Sequence, residues 1–273
     1  MRGVTTVAGN QTLDKTTANA LRVLEFAGRD EIPVAAGAAA PLERELFTAP
    51  YVHGESGLDG PDLPPARGRP VDEHAADFLA EHLTDDVVLV ATGPLTNIAL
   101  LLDRGVHPER IVLMGGAIGE GNVTQAAEFN IWVDPEAAAR VFTSGAEVTM
   151  VGLDVTHKPL MTPEDAQRLA ATGRVGTFVA ELHAFFHRFH EQRYGWPGSP
   201  IHDAVAMAHV IDPTLIETKH CYVRVETESE ARRGRTVVDL EERLGLEPNT
   251  HVGVDIDSER FLALLFERLA ALG

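Results

Sequence analysis

The sequence predicts an α/β protein built on an open, mainly parallel sheet flanked by helices, with the first strand of that sheet missing. Three observations carry this expectation. Short apolar runs alternate with longer amphipathic stretches, and the runs lack the polar alternation of half-exposed strands. Glycine, proline or asparagine closes most of them. Structure also begins almost at the first residue, so the sheet is expected to lack a strand ahead of residues 4–8. With 273 residues, 44% apolar and 23% charged, the chain has the composition of an ordinary globular protein.

The elements follow in order. Residues 4–8 read as a strand ending at Gly9-Asn10. In residues 16–27, Ala20, Leu21, Leu24 and Ala27 fall at helical spacing, and Gly28 stops the helix. Residues 32–36 read as a second strand, 71–83 as a helix, and 87–91 as a buried strand broken by Gly93-Pro94. A helix over 97–102, a strand over 111–114 closed by Gly115-Gly116, a helix over 135–143 and a strand over 148–155 come next. The remainder supplies a long helix over 175–193, another over 202–210, a strand near 222–225 and a final helix over 258–272. Residues 57–70 form a long Pro/Gly-rich loop, and no internal repeat is present. In parallel sheets ligands bind beyond the carboxyl ends of the strands. Asn10, Thr92, Gly115-Gly116 and Asp154 occupy that edge.

Charge and cysteine usage narrow the classes. Against 41 Asp and Glu stand 23 Lys and Arg, a net charge of −18, which argues against a nucleic-acid polymer as partner. The single cysteine, Cys221, excludes an internal disulfide and reads as a small buried hydrophobe. The first residues lack the apolar stretch of a signal peptide, and no apolar run reaches the ~20 residues of a membrane span. A cytoplasmic enzyme is the default expectation, with no membrane partner.

Several segments carry side chains suited to chemistry. His53-Gly54-Glu55-Ser56-Gly57-Leu58-Asp59-Gly60 is either a flexible turn, which composition alone favours, or a ligand loop with His53 as donor. Thr92-Gly93-Pro94-Leu95-Thr96-Asn97 sits at a strand-to-helix junction, where carbonyls and free helix N–H groups can face a ligand. It lacks the glycine spacing and lysine of a phosphate loop. Residues 115–130 gather Gly119, Gly121, Asn122, Glu128 and Asn130, a set suited to hydroxyl-rich ligands and equally to a surface turn. Asp203 is either a helix N-terminal cap or a metal ligand, with His202 as a proton donor to a leaving group. His183, His187 and His190 share one helix face. No nearby carboxylate or cysteine completes a zinc site there, so this face is read as partly exposed, at a cleft mouth.

Taken together, Val4-Thr5-Thr6-Val7-Ala8-Gly9-Asn10, His53-Gly54 with Gly57-Leu58-Asp59-Gly60, Thr92-Gly93-Pro94-Leu95-Thr96-Asn97, Met114-Gly115-Gly116, Glu128-Phe129-Asn130 and His202-Asp203 resemble the inosine–uridine-preferring nucleoside hydrolase family, collinearly over essentially the whole chain. The resemblance implies one nucleoside hydrolase-like domain over 1–273. It also implies hydrolysis of the N-glycosidic bond of ribonucleosides through a calcium-bound water, by a homodimer or homotetramer. On that resemblance Asn10, Met114, Asn122, Glu128 and Asn130 hold the ribose with Phe129 packed beside them, and His53 lies near ribose and base. Thr92, through its carbonyl, and Asp203 ligate the metal, and His202 serves as the acid for the leaving base. Near its unperturbed pKa of about 6.5, His202 would protonate that base around neutrality. Phe186, His190, Arg193 and Tyr194 are the candidate base contacts. Purine against pyrimidine preference stays open.

The chain departs from the family at one place. The family's first strand and its D-x-D-x-x-x-D-D cluster, which supplies the general base and most calcium carboxylates, are absent. Asp14, Asp30, Asp85-Asp86 and Asp103 do not replace it by position. Calcium takes about 6–8 oxygens. The calcium site is therefore expected to be incomplete, hydrolysis to be weak, and a sheet edge to be exposed. The natural form is expected to be longer at its start. The alternative is a noncatalytic nucleoside- or ribose-binding protein.

Overall fold

A computed structural model describes residues 1–273. Two short parallel strands, β1 (Val4–Thr6) and β2 (Val34–Ala36), form a small sheet of their own, with α1 (Leu13–Phe26) between them in sequence. The main sheet has six strands: β3 (Val88–Ala91), β4 (Arg110–Met114), β5 (Glu147–Val151), β8 (Ile216–Val225), β9 (Thr236–Asp239) and β10 (Thr250–Ile256). Their order is β3-β4-β5-β10-β8-β9. The first four run parallel, while β8 is antiparallel to β10 and β9 to β8, so the sheet is mixed. A two-stranded clip joins β6 (Leu160–Met161) to β7 (Ser199–Pro200).

Helices cover both faces, as buried parallel strands require. On one face α4 (Thr96–Leu102) and α6 (Pro135–Phe142) press Ile98, Val141 and Phe142 onto Ile111, Leu113 and Met150. On the other, α10 (Asp203–Ile211) and α11 (Ser258–Ala270) press Val205, Ala206 and Phe261 onto Val112, Val151 and Ile256. Cys221 is fully buried on the first face, as its reading as a small hydrophobe requires. The other helices are α2 (Pro50–His53), α3 (Ala75–His82), α5 (Phe129–Val133), α7 (Leu153–Thr156), α8 (Pro163–Ala170) and α9 (Arg174–Tyr194).

Two differences from the sequence reading have local causes and a third does not. The helix expected from residue 71 starts at Ala75, where His74 turns its ring back to accept the Ala76 N–H. The strand expected over 148–155 stops at Val151. Extended Gly152 ends it, and α7 turns Asp154 back to accept the Ile118 and Gly119 amides. The strands β9 and β10 and the helices α5 and α8 carry mixed polar and apolar residues, and their pairing is tertiary rather than periodic.

β3 pairs only with β4, and all four of its residues are partly exposed, whereas β4 and β5 are buried beyond their first residue. β3 is thus one edge of the sheet, and β9 the other. The β1–β2 pair is tied across to α4 instead of to β3. Asn97 donates from Nδ2 to the Thr6 carbonyl (2.9 Å) and accepts the Ala38 N–H on Oδ1 (2.9 Å). This fastening turns the carboxyl end of β1, with Asn10, toward the same rim as the ends of β3, β4 and β5. No helix is long and apolar enough to cross a membrane.

Candidate active site

The carboxyl-end loops enclose a cavity of about 390 Å³. Asn10, His53, Thr92, Met114, Asn122, Glu128, Phe129, Asn130, His202 and Asp203 all line it. These residues lie far apart in sequence, and the strand ends bring them together. At the floor, Asn130 Nδ2 donates to the Met114 carbonyl (3.0 Å) and lies 3.5 Å from the Thr92 carbonyl. Asp203, at the start of α10, borders the same space, and its charge adds to the upward shift of Glu128.

Much of the amide and carboxylate set is committed to the backbone. Glu128 caps α5: its carboxylate accepts the N–H groups of Gly116 (3.0 Å), Asn130 (2.9 Å) and Ile131 (3.2 Å) at 2% exposure. Burial pushes this carboxyl up to about 7 against those hydrogen bonds. Asn122 Oδ1 accepts the Phe129 N–H (2.9 Å). These two side chains build the loop over 115–130 as well as lining the cavity.

The His53 loop is held rather than loose. Asp59 accepts the amides of Glu55 and Ser56 (3.1 Å each) and the Ser56 hydroxyl. Gln11 Nε2 donates to the Gly54 carbonyl (2.9 Å). Gly54 has φ +78°, and a Cβ there would overlap the Asp59 carboxyl. The loop therefore presents His53 in one orientation, stacked on Phe186 (5.7 Å between ring centroids). Burial, and then the charge of His190, pushes His53 down to about 4.

His202 differs from its expected state. Burial first, then His157, His190 and His53, push it down to about 3, so it is neutral at physiological pH. The expectation of a group titrating near neutrality differs from this: in these surroundings the imidazole is neutral, with one ring nitrogen protonated and the other bare. Its Nδ1 lies 2.8 Å from Thr156 Oγ1. Asp203 exposes its carboxyl to the cavity, yet the cavity lies deep, and the surrounding protein pushes that carboxyl up to about 7.

The outer wall is aromatic. Phe186, His190 and Tyr194 of α9 line the cavity; Arg193 does not, and lies instead over the Tyr194 ring (5.9 Å). The expectation of a partly exposed histidine face is corrected for two of its members. His183 and His190 are buried and line the cavity, while His187 faces the Ser199 hydroxyl (3.1 Å). Because His190 Nδ1 donates to the Phe186 carbonyl (3.0 Å), a neutral His190 keeps Nε2 as an acceptor. The sequence reading did not include Tyr51, Phe189 or His157. His157 follows α7 and meets His202 edge-on (5.5 Å). The glycine at 152 was the only signal that the strand would end early enough to turn it inward.

The donor set does not fit a calcium cage. Of the three acids lining the cavity, Asp59 and Glu128 are engaged by amides, which leaves Asp203 with the Thr92 carbonyl. No three His, Cys, Asp or Glu side chains are grouped to hold a metal. One carboxylate and one carbonyl fall well short of about 6–8 oxygens.

Known proteins of similar sequence and shape agree on a family. The model of the inosine-uridine preferring nucleoside hydrolase family matches residues 1–263. A pyrimidine-specific ribonucleoside hydrolase of Citrobacter koseri is 50% identical over 99% of this chain and 89% of its own length. One from Escherichia coli is 48% identical over 98% of this chain and 89% of its own length. Among solved structures, a purine-preferring ribonucleoside hydrolase from Gardnerella vaginalis superposes with a TM-score of 0.93 at 33% identity, over 100% of this chain and 90% of that one. A plant nucleoside hydrolase gives a TM-score of 0.92 at 33% identity, over 99% and 91%. With its strand-end loops converging on one deep polar floor under an aromatic wall, this chain belongs to the inosine-uridine preferring nucleoside hydrolase family.

Proposed function

We propose that the cavity binds a pyrimidine ribonucleoside and that its residues promote hydrolysis of the N-glycosidic bond to ribose and free base. The observation that carries this reading is the convergence of Asn10, Met114, Asn130, His202 and Asp203 on one cavity. Its volume suits a small organic ligand. Asn10, Asn122, Glu128 and Asn130 hold the ribose, with Met114 and Phe129 beneath it. His53 and His202 face the base, against Phe186, His190 and Tyr194. The preference for pyrimidines rests on the 48–50% identity to enzymes named for that specificity.

In the reaction the C1′–N bond breaks with its electron pair leaving on the base, and the oxygen of water bonds to C1′. The departing base takes a proton, and the water loses one. Positive charge develops on the ribose ring, as in O-glycoside cleavage. Fixed amide dipoles and Asp203 stabilise it electrostatically. Neutral His202 meets the base as a hydrogen-bond donor, and neutral imidazoles serve as electrophiles elsewhere.

A metal would polarise the attacking water, but no step is assigned to calcium with this donor set. Asp203 is the single carboxylate free on the floor, so no second one is at hand to take a proton from water. We therefore infer slow turnover by these residues alone. The same observation favours a second reading, a nucleoside-binding protein without turnover. A cytoplasmic homodimer or homotetramer is the setting we assign, in keeping with the lone unpaired Cys221. Calorimetry with uridine and inosine, beside an assay for released ribose, tests both readings. Uridine binding with slow ribose release supports the first, and binding with none supports the second. Stronger cleavage of inosine than of uridine overturns the pyrimidine assignment.

A further inference from the structure

We propose that Thr156 fixes the proton of His202 on Nε2, by donating its hydroxyl hydrogen to Nδ1, so that the imidazole meets a departing base as a donor. The inference rests on the ribonucleoside reading of the cavity and adds a positioning residue to it. Thr156 ends α7 and is completely buried. Its Oγ1 lies 2.8 Å from His202 Nδ1 and makes no other hydrogen bond.

Two arrangements fit that distance. If Nδ1 carried the hydrogen and donated it to Oγ1, the hydroxyl hydrogen of Thr156 would be buried with no acceptor, which folded proteins avoid. If the hydroxyl donates to a bare Nδ1, both groups are satisfied, and the neutral ring carries its hydrogen on Nε2. The second arrangement is therefore the one the surroundings select. His202 Nε2 has no protein partner and is not closed off from solvent, and the ring borders the cavity.

The ring has one polar protein contact, Thr156, and two aromatic neighbours. His157 meets it edge-on at 5.5 Å and Phe186 at 6.5 Å, with interplanar angles of 61° and 87°. The backbone holds Thr156 in place as well, since its N–H donates to the Gly152 carbonyl (3.0 Å) where β5 ends. The chemical consequence is directional. A base leaving with an electron pair is met by N–H in this tautomer and by a lone pair in the other.

Nitrogen NMR of the whole chain labelled with 15N-histidine reads the tautomer without any need for turnover. His202 is assigned by the signals lost in His202→Gln. The wild type is expected to show a protonated Nε2 and a bare Nδ1. Thr156→Val keeps the shape but removes the donor and is expected to give a tautomer mixture, and Thr156→Ser should restore the single form. In turnover, Thr156→Val should lose at least about 10-fold in kcat on uridine. On p-nitrophenyl riboside, whose leaving group departs without a proton, it should change by less than about 2-fold. A wild-type ring protonated on Nδ1, or a Thr156→Val ring that stays wholly protonated on Nε2, overturns the proposal. Should Thr156→Val fail to fold, the wild-type and Thr156→Ser spectra decide it. Absence of turnover on both substrates would count against hydrolysis and leave the tautomer result standing.

Discussion

Removing the Glu128 carboxylate tests whether that side chain is part of the architecture as well as of the ribose grip. Glu128→Ala strips the partner from three backbone N–H groups, those of Gly116, Asn130 and Ile131. Each buried unsatisfied donor costs about 1–3 kcal/mol, which gives a loss of roughly 3–9 kcal/mol. The substitution also removes a buried carboxyl whose pKa stands at about 7 against an ordinary 4.5. A carboxyl raised in the folded state contributes stability below its unfolded pKa, and that contribution disappears as pH rises through 7. Relief at pH 8 is therefore worth roughly 3 kcal/mol, from about 2.5 pH units at 1.36 kcal/mol each. The net loss is expected near 3 kcal/mol at pH 8 and should be larger by roughly that relief at pH 5. At about 2–4 °C per kcal/mol, melting falls by roughly 6–12 °C at pH 8 and by more at pH 5. Thermal melts of both proteins at the two pH values measure this. A variant that melts with the wild type at both, or whose deficit shrinks toward pH 5, refutes the reasoning.

Three further outcomes are expected. Asn97→Ala removes both bonds that tie β1–β2 to α4 and should lower stability by about 2–4 kcal/mol in urea unfolding; a change under about 0.5 kcal/mol would mean the tie is dispensable. Gly54→Ala places a Cβ 2.0 Å from the Asp59 carboxyl carbon, at a φ that disfavours L residues. It should weaken uridine binding at least about 10-fold by calorimetry, since one factor of ten is only about 1.4 kcal/mol of displaced loop; unchanged affinity would show that the His53 loop does not touch ligand. The depressed pKa of His53 gives stability that is present above its unfolded value of 6.5 and lost as pH falls toward about 4. Melting temperature should therefore drop more steeply across that window in the wild type than in His53→Gln, and parallel curves would contradict the burial of its ring.

The strand–helix alternation was legible because buried parallel strands such as Ile111-Val112-Leu113-Met114 and Val88-Leu89-Val90-Ala91 announce themselves as apolar runs. The antiparallel half of the sheet was not, because β10 mixes His251, Gly253 and Asp255 into its length and takes its register from β8. Asn10 and Thr92 were legible as residues at strand ends, and Asn122, Glu128, Asn130, His202 and Asp203 as candidates from loop or helix-start context. Met114 and Phe129 were singled out by the family resemblance, while His53 by composition alone read as part of a turn. What each side chain is free to do was hidden, since that depends on partners distant in sequence. Glu128 reads as an acid, yet three amides hold it and burial raises its pKa. Asp154 reads as a rim residue, yet it spends both oxygens on the loop over 116–119. His202 reads as a titrating acid, yet burial first, and then the nearby His157, His190 and His53, push it down to about 3, and a buried hydroxyl sits at its Nδ1. Polar residues at the rim thus divide into those that build the loops and those left facing the cavity. Glu128 and Asn122 do both, lining the cavity with side chains already bonded to the backbone, whereas Asp203 and Asn10 make no such bond. That division leaves the recess with a polar floor on which one of its three lining acids, Asp203, has no backbone partner.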